Sequence, residues 1–283
     1  MESSNVTRAV AAATSVATSL GLPVSDAVVL HNSNKLALRL TPCDTFARVA
    51  PVGQEVAQFE VGLAQRLAGA GSPVCPLEPR VYTREGFTVT LWTYYEPVTP
   101  HVSPADCARA LELLHAGMRT VDMPSPRFTD RITEAVEVVA DPARSPELAD
   151  ADRVLLGGRL TSLRRAIEQR GAVEQLLHGE PHMGNVLSTN DGPLFIDFET
   201  CCRGPVEYDL AHVPAEACEH YPDIDGGLLD ECRQLVLAVV AAWRWELGDA
   251  FPNGRLFGEE LLCALRDGPP WLTLDMMNKR LGL

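Results

Sequence analysis

The sequence predicts an α+β protein with a small strand-rich first half and a larger, mainly helical second half. Short runs of β-branched and aromatic residues fill residues 28–50 and 76–96, with one helical pattern between them. From about residue 103 onward, apolar residues recur at helical spacing in several long segments. Pro97 follows the last strand-like run, so we place a hinge between Thr93 and Pro97 and expect a ligand site between the two halves.

Residues 28–50 are predicted to form three short strands. Turn formers at residues 32–34 separate the first two strands, and those at residues 42–44 separate the second and third. A helix is predicted in residues 53–71, because its apolar residues have helical spacing: Val56, Phe59, Leu63 and Leu67. Residues 1–24 are rich in Ala, Ser and Thr and predict an amphipathic first helix.

The second half is predicted to begin with a helix capped by Ser103, with Pro104 in its first turn. Residues 141–153 are acidic and contain proline, which predicts a surface loop. Three further helices are predicted, at residues 159–171, 226–251 and 254–268.

Composition narrows the class of protein. The chain has 283 residues and a net charge of −14, which argues against the phosphate backbone of a nucleic acid as a partner. No apolar run approaches the length of a membrane span, and the first residues lack the pattern of a signal peptide. The eight cysteines include no C-x-x-C pair, which predicts reduced thiols in a cytoplasmic protein.

The segment "HGEPHMGNVLSTNDGPLFIDFET", residues 178–200, is the richest in chemistry. It could be a metal-hydrolase site, a phosphate-transfer site or a loop between two strands. His178 and His182 are four residues apart, as zinc-binding histidines on a helix are. However, Gly179 and Pro181 lie between them, and proline disrupts a helix interior. We therefore assign no metal to His182.

Phosphoryl transfer fits the segment better. It requires a carboxylate beside the attacking hydroxyl and hard oxygen ligands for Mg²⁺. Glu180, Asn185 and Asp197 supply these groups in order. The turn formers at residues 190–192 predict a hairpin, which would return Asp197 close to Asn185.

Three linked motifs strengthen this interpretation. The family pattern H-G-D-x-x-x-x-N, I-D-F and G-x-x-x-x-D-L-A stands here as His178-Gly179-Glu180 with Asn185, Ile196-Asp197-Phe198, and Gly204 to Ala211. The sequence therefore resembles the aminoglycoside phosphotransferase and choline kinase-like family. This resemblance implies a two-lobed protein-kinase-like fold, with a nucleotide-binding lobe at residues 1–96 and a catalytic and substrate lobe at residues 97–283.

The resemblance also implies roles for individual residues. Glu180 would be the catalytic base or would orient the substrate hydroxyl. Asn185 and Asp197 would bind Mg²⁺. His178 and Asp209 would be structural residues that hold the catalytic loop. Glu199 would contact this site or be a solvated carboxylate; both alternatives stay open.

In the first lobe, the resemblance places Arg48 where the family has a lysine that contacts the nucleotide phosphates, paired with a helix glutamate, Glu60. Lys35 is a competing cation, interpreted as an exposed hairpin lysine. The loop "HNSN" would face the phosphates and "LWTYYEPV" would be the hinge that contacts the base; Trp92, Tyr94 and Tyr95 favour ordinary packing over stacking. The expected nucleotide contacts are Arg48, Glu60, Ser33, Asn34, Thr93 and Tyr95.

Two positions depart from the family pattern: Glu180 replaces an aspartate and Arg48 replaces the lysine. Both changes preserve the charge, which favours a divergent but active enzyme. The alternative is a weak or inactive kinase-like protein that binds a nucleotide or metabolite. A protein kinase is disfavoured, because only about a dozen residues separate Asp197 from Asp209, too few for a large activation loop.

The predicted reaction is therefore transfer of a phosphate from ATP or GTP, with Mg²⁺, to a hydroxyl of a small molecule. The resemblance favours an aminoglycoside or another hydroxylated amine, with no nucleic-acid or membrane partner. The acidic stretch from Glu216 to Asp225 could hold an amine or be a solvated loop. The tryptophans of the second half are interpreted as packing residues and not as a cation–π cage: Trp243, Trp245 and Trp271.

Overall fold

The computed structural model describes residues 1, 3–33, 35–53, 56–75, 77–99 and 102–282, with side chains at all of these except 3 and 77–79. The chain packs into two compact units. The first consists of Met1–Val102 and Leu187–Glu199, and the second of Ser103–Val186 and Thr200–Leu283. The lobe boundary placed after residue 96 from the sequence stays a prediction.

The first unit is built on a five-stranded antiparallel sheet with the strand order β1-β2-β3-β5-β4. In chain order its first segment contains α1 (Ser3–Ser19), β1 (Val24–Asn32), β2 (Leu36–Pro42), β3 (Thr45–Pro51), α2 (Val56–Gly69), β4 (Leu77–Arg84) and β5 (Phe87–Thr93). The three strands, the helix and the strand-rich region predicted from the sequence are all present.

The core of the first unit lies between α1 and one face of the sheet. Alternate residues of β2 and β3 point into it and are buried, including Leu36, Leu38, Ala47 and Val49. Because side chains alternate across a strand, Arg48 lies on the opposite face of β3. The alternation of side chains along β3 thus places this arginine on the face away from the apolar core.

The second segment of the first unit is a hairpin. Strand β7 (Val186–Thr189) pairs with β8 (Gly192–Phe195), as the turn formers at residues 190–192 predict. Backbone hydrogen bonds attach the hairpin to the first segment: Val98 N donates to Ser188 O at 3.0 Å, and Phe195 N donates to Pro73 O at 2.8 Å. The hairpin therefore completes the first unit, although it follows more than eighty residues of the second unit in the chain.

The second unit is mainly helical. It contains α3 (Pro104–Met118), α4 (Phe128–Ala140), α5 (Asp150–Arg170), β6 (Gln175–Leu177), β9 (Cys202–Gly204), α6 (Val206–Leu210), α7 (Ala215–Cys218), α8 (Gly226–Arg244), α9 (Gly254–Asp267) and α10 (Leu274–Leu281). The short strands β6 and β9 pair antiparallel. Ser103 caps α3 as predicted, because its hydroxyl accepts a hydrogen bond from Asp106 N.

One predicted loop of the second unit is too long. The loop was predicted at residues 141–153, but α5 begins at Asp150. Asp150 and Asp152 lie in the first turn of α5, where carboxylates are favoured by the helix dipole. Their acidity therefore marks the start of a helix and not only a solvated loop.

All eight cysteines are free thiols in the structure. Six are buried, and Cys263 is exposed. Burial raises the pKa of Cys75 to about 12 and that of Cys107 to about 11, so these thiols stay protonated at neutral pH. Among the helices that the structure describes, none combines the length and the apolar character that a membrane crossing needs.

Candidate active site

Arg48 is the centre of a charged cluster in the first unit. Its Nη1 lies 2.6 Å from Glu60 Oε1, and its Nη2 lies 2.7 Å from Glu199 Oε1. The same Nη2 is 3.4 Å from Asp197 Oδ2. The Arg48–Glu60 ion pair expected from the sequence is thus present, and Arg48 joins β3, α2 and the segment after β8.

Glu60 is the most buried member of this cluster, with 2% of its surface exposed. Burial raises its pKa, and the positive charge of Arg48 opposes that rise. Phe198 N also donates a hydrogen bond to Glu60 Oε1 at 3.2 Å. These contacts hold the segment around Asp197 against helix α2.

Lys35 differs from its sequence interpretation, and the structure favours one of the two alternatives left open for Glu199. Lys35 is not an exposed hairpin lysine: its side chain is 11% exposed and forms an ion pair with Glu199. Burial lowers the pKa of Lys35, and the nearby charge of Arg48 lowers it further. Glu199 is not a solvated carboxylate, since it accepts hydrogen bonds from both cations.

The carboxylates of this cluster are chemically suited to a hard divalent cation. Oxygen atoms of Glu60, Asp197 and Glu199 all lie within 4.8 Å of one another. Oxygen-only donor sets are those that Mg²⁺ prefers. Arg48 forms close ion pairs with Glu60 and Glu199, whereas Asp197 is its most distant partner. The side chain of Asp197 is also 39% exposed. Asp197 is therefore the carboxylate best placed to bind a metal.

Three of the other predicted nucleotide contacts lie at or beside the ends of strands in the same sheet: Ser33, Thr93 and Tyr95. Ser33 is in the turn between β1 and β2, where its backbone N donates to Lys35 O at 3.0 Å. Thr93 ends β5 and is exposed, and Tyr95 follows it. Asn34 lies outside the described residues. The roles of all four toward a nucleotide stay predictions.

In the second unit, Asp209 is a fully buried carboxylate that organises the loop before Glu180. It accepts hydrogen bonds from His178 N and Gly179 N, both at 2.8 Å. His115 Nε2 lies 3.0 Å from its Oδ2, and Tyr221 OH lies 2.8 Å from the other ring nitrogen. Asp209 therefore fixes the backbone of the two residues that precede Glu180.

The same loop requires glycine at position 179. Gly179 has a φ of +90°, and a Cβ atom there would lie 2.0 Å from Thr200 O. Thr200 Oγ1 also donates to His178 O at 3.2 Å. His178 itself is buried, and its Nδ1 accepts a hydrogen bond from Glu180 N at 3.4 Å. These contacts fit the structural role predicted for His178 and Asp209.

Replacing Asp209 by Asn is expected to lower the free energy of unfolding by about 3 kcal/mol at pH 7, because a buried ionic hydrogen-bond network would lose its charge. Burial alone would raise the pKa of Asp209, but the hydrogen bond from His115 and the backbone amides lower it below its usual value. Its contribution is therefore complete above about pH 4 and is lost as the pH falls through the lower, folded-state pKa.

Denaturant unfolding between pH 7 and pH 3 measures this loss. The difference between the wild type and Asp209→Asn should shrink toward the acidic end. Asp223→Asn, an isosteric change at an exposed acid of the same unit, is the control and should change stability by less than about 0.5 kcal/mol. Equal stability of the Asp209 and Asp223 variants would contradict the anchoring role.

Glu180 is held by an ion pair within the second unit. Its Oε1 accepts a hydrogen bond from Arg131 Nη2 at 2.7 Å, and the Arg131 guanidinium lies 4.5 Å from the ring centre of Trp243. Burial alone would raise the pKa of Glu180, but the positive charge of Arg131 and its hydrogen bond outweigh this and lower it. Glu180 is therefore a fixed, ionised carboxylate at neutral pH.

Asn185 and His182 lie next to Glu180 in the loop. Asn185 Nδ2 donates to Glu180 O at 3.0 Å, which leaves Oδ1 as the atom that would bind a metal. His182 caps a short 3-10 turn and accepts a hydrogen bond from Gly184 N. Among the residues that the structure describes, neither His178 nor His182 belongs to a group of three metal-binding side chains. The zinc interpretation has no support.

A cavity of about 380 Å³ lies beside Glu180, and its walls belong to the second unit. Apolar side chains form part of the wall: Val240, Trp243, Phe251, Phe257 and Leu274. Polar side chains complete it: Arg131, Glu180, His182, His212, Arg244, Asp275 and Asn278. Trp243 is thus a cavity residue and not only a packing residue. This cavity is the candidate acceptor site.

Comparison with known proteins identifies the family. Residues 26–248 match the family model described as "Phosphotransferase enzyme family". The chain belongs to the phosphotransferase enzyme family. The resemblance drawn from the three sequence motifs is therefore confirmed, and so is the prediction of a phosphotransferase that uses a hydroxyl acceptor. No curated protein matches the chain.

Solved structures confirm the kinase-like fold of this family member. The choline kinase LicA from Streptococcus pneumoniae is 15% identical, with a TM-score of 0.67, covering 90% of this chain and 98% of that one. The complex of APH(2")-IIia with GDP and kanamycin is 16% identical, with a TM-score of 0.70 and coverages of 90% and 97%. Amicoumacin kinase hAmiN, with AMP-PNP, Ca²⁺ and Ami, is 10% identical, with a TM-score of 0.69 and coverages of 94% and 96%.

Sequence reasoning missed several side chains that define the site. Arg131 is on α4 and lies 49 positions before its partner Glu180, so no local pattern connects them. His212 and Arg244 line the cavity but belong to none of the quoted motif positions. His212 directly follows the D-L-A motif, which is the one sequence signal that could have drawn attention to it.

Proposed function

We propose that this chain transfers the γ-phosphate of ATP or GTP, with Mg²⁺, to a hydroxyl group of a small molecule. The observation that carries the proposal is Glu180: an ionised carboxylate lines a ligand-sized cavity in a member of the phosphotransferase enzyme family. Phosphoryl transfer relies on positioning and charge more than on covalent chemistry of the protein, and both are present here.

Glu180 acts on the acceptor. Its carboxylate accepts a hydrogen bond from the attacking hydroxyl, orients it and takes up its proton as the new bond forms. Arg131 fixes the carboxylate through its 2.7 Å contact, and Asp209 fixes the backbone of the loop. Glu180 is one methylene longer than the family's aspartate, and this ion pair restricts the additional freedom of the longer side chain.

The metal would be held by Asn185 Oδ1 and Asp197, which supply an amide and a carboxylate oxygen. When bound, Mg²⁺ neutralises charge on the nucleotide phosphates. Glu60 already forms an ion pair with Arg48 and accepts a hydrogen bond from Phe198 N. Its role is therefore to position these two residues and not to bind the metal. Arg48 supplies the cation that contacts the phosphates, and Glu60 and Glu199 hold it in place.

Replacing Arg48 by Gln is expected to raise the dissociation constant of the nucleotide about tenfold, because a charge-assisted hydrogen bond to phosphate is lost. The free energy of unfolding should also fall, by about 3 kcal/mol, because Glu60 would stay buried without its ion-pair partner. Calorimetric titration with ATP and GTP, together with denaturant unfolding, measures the two effects.

Arg48→Lys retains the charge and should recover part of the nucleotide affinity. Arg39→Gln is the matched control, since Arg39 lies on the neighbouring strand β2 and pairs with the exposed carboxylates of Asp44 and Glu96. If folded Arg48→Gln bound both nucleotides as tightly as Arg39→Gln, Arg48 would not be a phosphate contact.

The acceptor predicted from the sequence is an aminoglycoside or another hydroxylated amine. Similar structures support this class only indirectly: one is a kanamycin complex and another is a choline kinase. The predicted acidic recognition surface does not help, because Asp225 caps α8 and pairs with Arg170, while Glu216, Glu219 and Asp223 are exposed. The class of acceptor must therefore be inferred from the side chains that line the cavity.

A second candidate is a nucleotide sensor without turnover. The observation that favours it is that both cations of the Arg48 cluster, Lys35 and Arg48, are engaged by carboxylates. A nucleotide would have to compete with Glu199 for Arg48. Binding without acceptor-dependent turnover would distinguish this sensor from the kinase.

The direct test measures ADP or GDP release that depends on both Mg²⁺ and an acceptor. A panel of aminoglycosides, choline-like alcohols, nucleosides, sugars and hydroxy acids is supplied with ATP or GTP. Acceptor-dependent release would support the kinase. Tight nucleotide binding without release across the panel would favour the sensor, and no nucleotide binding would contradict both.

A further inference from the structure

Three side chains that line the cavity beside Glu180 carry buried nitrogen atoms without a partner in the described part of the chain: Arg131, His212 and Arg244. Nη1 of Arg131 and both Nε and Nη1 of Arg244 have no hydrogen-bond partner among the described residues. The same holds for both ring nitrogens of His212. In the described part of the cavity wall, the one buried side-chain oxygen without a hydrogen-bond partner is Asn278 Oδ1.

These donors are well shielded from solvent. The side chains of Arg131 and Arg244 are 15% and 13% exposed, and His212 is 3% exposed. A buried donor without a partner is unfavourable, so a ligand that satisfies several of them gains affinity. Arginine offers donors and no acceptor, whereas the neutral ring of His212 offers one of each.

The acidic groups of the wall are already paired. Glu180 is neutralised by Arg131 at 2.7 Å, and Asp275 is neutralised by Lys279 at 2.8 Å. Arg244 contacts Asp249 through Nη2 at 3.3 Å, which leaves its other two nitrogens for a ligand. An amine entering the cavity would meet carboxylates that already have cationic partners, whereas the two guanidinium groups, which are paired as well, keep nitrogens without a partner.

We propose that the acceptor carries an anionic group, a carboxylate or a phosphate, which Arg244 and Arg131 bind while Glu180 holds the hydroxyl. Planar guanidinium groups match both anions through paired hydrogen bonds, and His212 adds a neutral donor. The apolar wall from Trp243, Phe251 and Phe257 covers the carbon skeleton. This inference rests on the proposed function, and it replaces the hydroxylated amines predicted from the sequence with hydroxylated anions, whether or not they also carry an amine.

The volume of the cavity agrees with a small acceptor. At about 380 Å³ it lies near the lower end of the range for small-molecule sites. A polycationic antibiotic of several rings would not match these donors. A single sugar acid, sugar phosphate or hydroxy amino acid meets both conditions.

The test compares acceptors that differ only in the anionic group. Three pairs serve as probes: glucose with glucuronate, glucose with glucose 6-phosphate, and ethanolamine with serine. Kanamycin represents the polycations. Calorimetric titration of the nucleotide-bound protein measures acceptor binding, and release of ADP or GDP measures turnover. We expect the charged member of at least one pair to bind about tenfold more tightly than its partner.

Arg244→Gln should reduce that preference about tenfold, because the lost contact is charge-assisted. Arg244→Lys retains the charge but loses the paired geometry, so it should recover only part of the preference. Arg164→Gln, an exposed arginine on α5 paired with Glu168, is the control and should keep the full preference. Circular dichroism and melting temperatures identify any variant that fails to fold.

The possible outcomes separate this inference from the proposed function. Tighter binding of charged acceptors without nucleotide turnover would support the anion site and contradict the kinase. Turnover of uncharged or polycationic acceptors, with no preference for charged ones, would support the kinase and overturn the anion site. A preference that Arg244→Gln leaves unchanged would also overturn it. The glucuronate and glucose 6-phosphate arms distinguish a carboxylate from a phosphate.

Discussion

Replacing Asp197 by Asn is expected to reduce kcat by about 10³-fold or more, while the protein stays folded. Asn keeps the shape of Asp197 and removes its negative charge, which is the charge that would bind Mg²⁺. Asp197 is also the member of the Arg48 cluster with the weakest contact to that arginine, 3.4 Å. Loss of the charge should therefore affect the metal more than the cluster.

The backbone at position 197 makes this substitution informative. Asp197 has a φ of +66°, a conformation that Asn tolerates as well as Asp does. The variant should melt within a few degrees of the wild type, and titration should show that Mg²⁺ no longer strengthens nucleotide binding. Asp191→Asn, in the turn of the same hairpin, is the control and should keep full activity. Full turnover by Asp197→Asn would remove Asp197 from the metal site.

Glu180→Gln is expected to lower kcat by about 10²- to 10⁴-fold with little change in nucleotide affinity. Glutamine can still accept the hydrogen bond from Arg131, but it cannot take up a proton from the acceptor hydroxyl. The effect should appear in kcat at saturating concentrations of both substrates. Intact turnover under these conditions would show that Glu180 has no catalytic role.

Glu180→Asp restores the family's residue and tests the length of the side chain. It retains the carboxylate but moves it away from Arg131, so we expect activity between those of the wild type and Glu180→Gln. The pH profile supplies a second test. Because the pKa of Glu180 is lowered, kcat should not begin to fall until the pH is below the usual range of a glutamate. An acidic limb near neutral pH would contradict this assignment.

Most of the fold followed from local patterns in the sequence. The alternation of β2 and β3, the turn formers between strands and the Ser103 cap each act over a few residues, and each predicted its element correctly. The loop before α5 was misjudged because Asp150 and Asp152 stabilise a helix start and also resemble a solvated segment. Composition alone does not separate these two uses of acidic residues.

The candidate site was predictable only where residues lie in one motif. Glu180, Asn185 and Asp197 share such a segment, so their spacing identified them. Lys35 was misassigned, because a lysine in a hairpin is usually exposed and its burial depends on Glu199, which is distant in the sequence. Arg131 and Arg244 belong to different helices, and their convergence on one cavity is a tertiary property.

The placement of the β7–β8 hairpin in the first unit has a consequence for synthesis of the protein. Arg48 and Glu199 are 151 positions apart, and Phe198 supplies a backbone donor to Glu60. The first unit therefore cannot reach its final packing when its initial segment leaves the ribosome. At usual translation rates the missing piece arrives roughly 5–20 s later. During that interval Glu60 and Arg48 lack their contacts to Phe198 and Glu199.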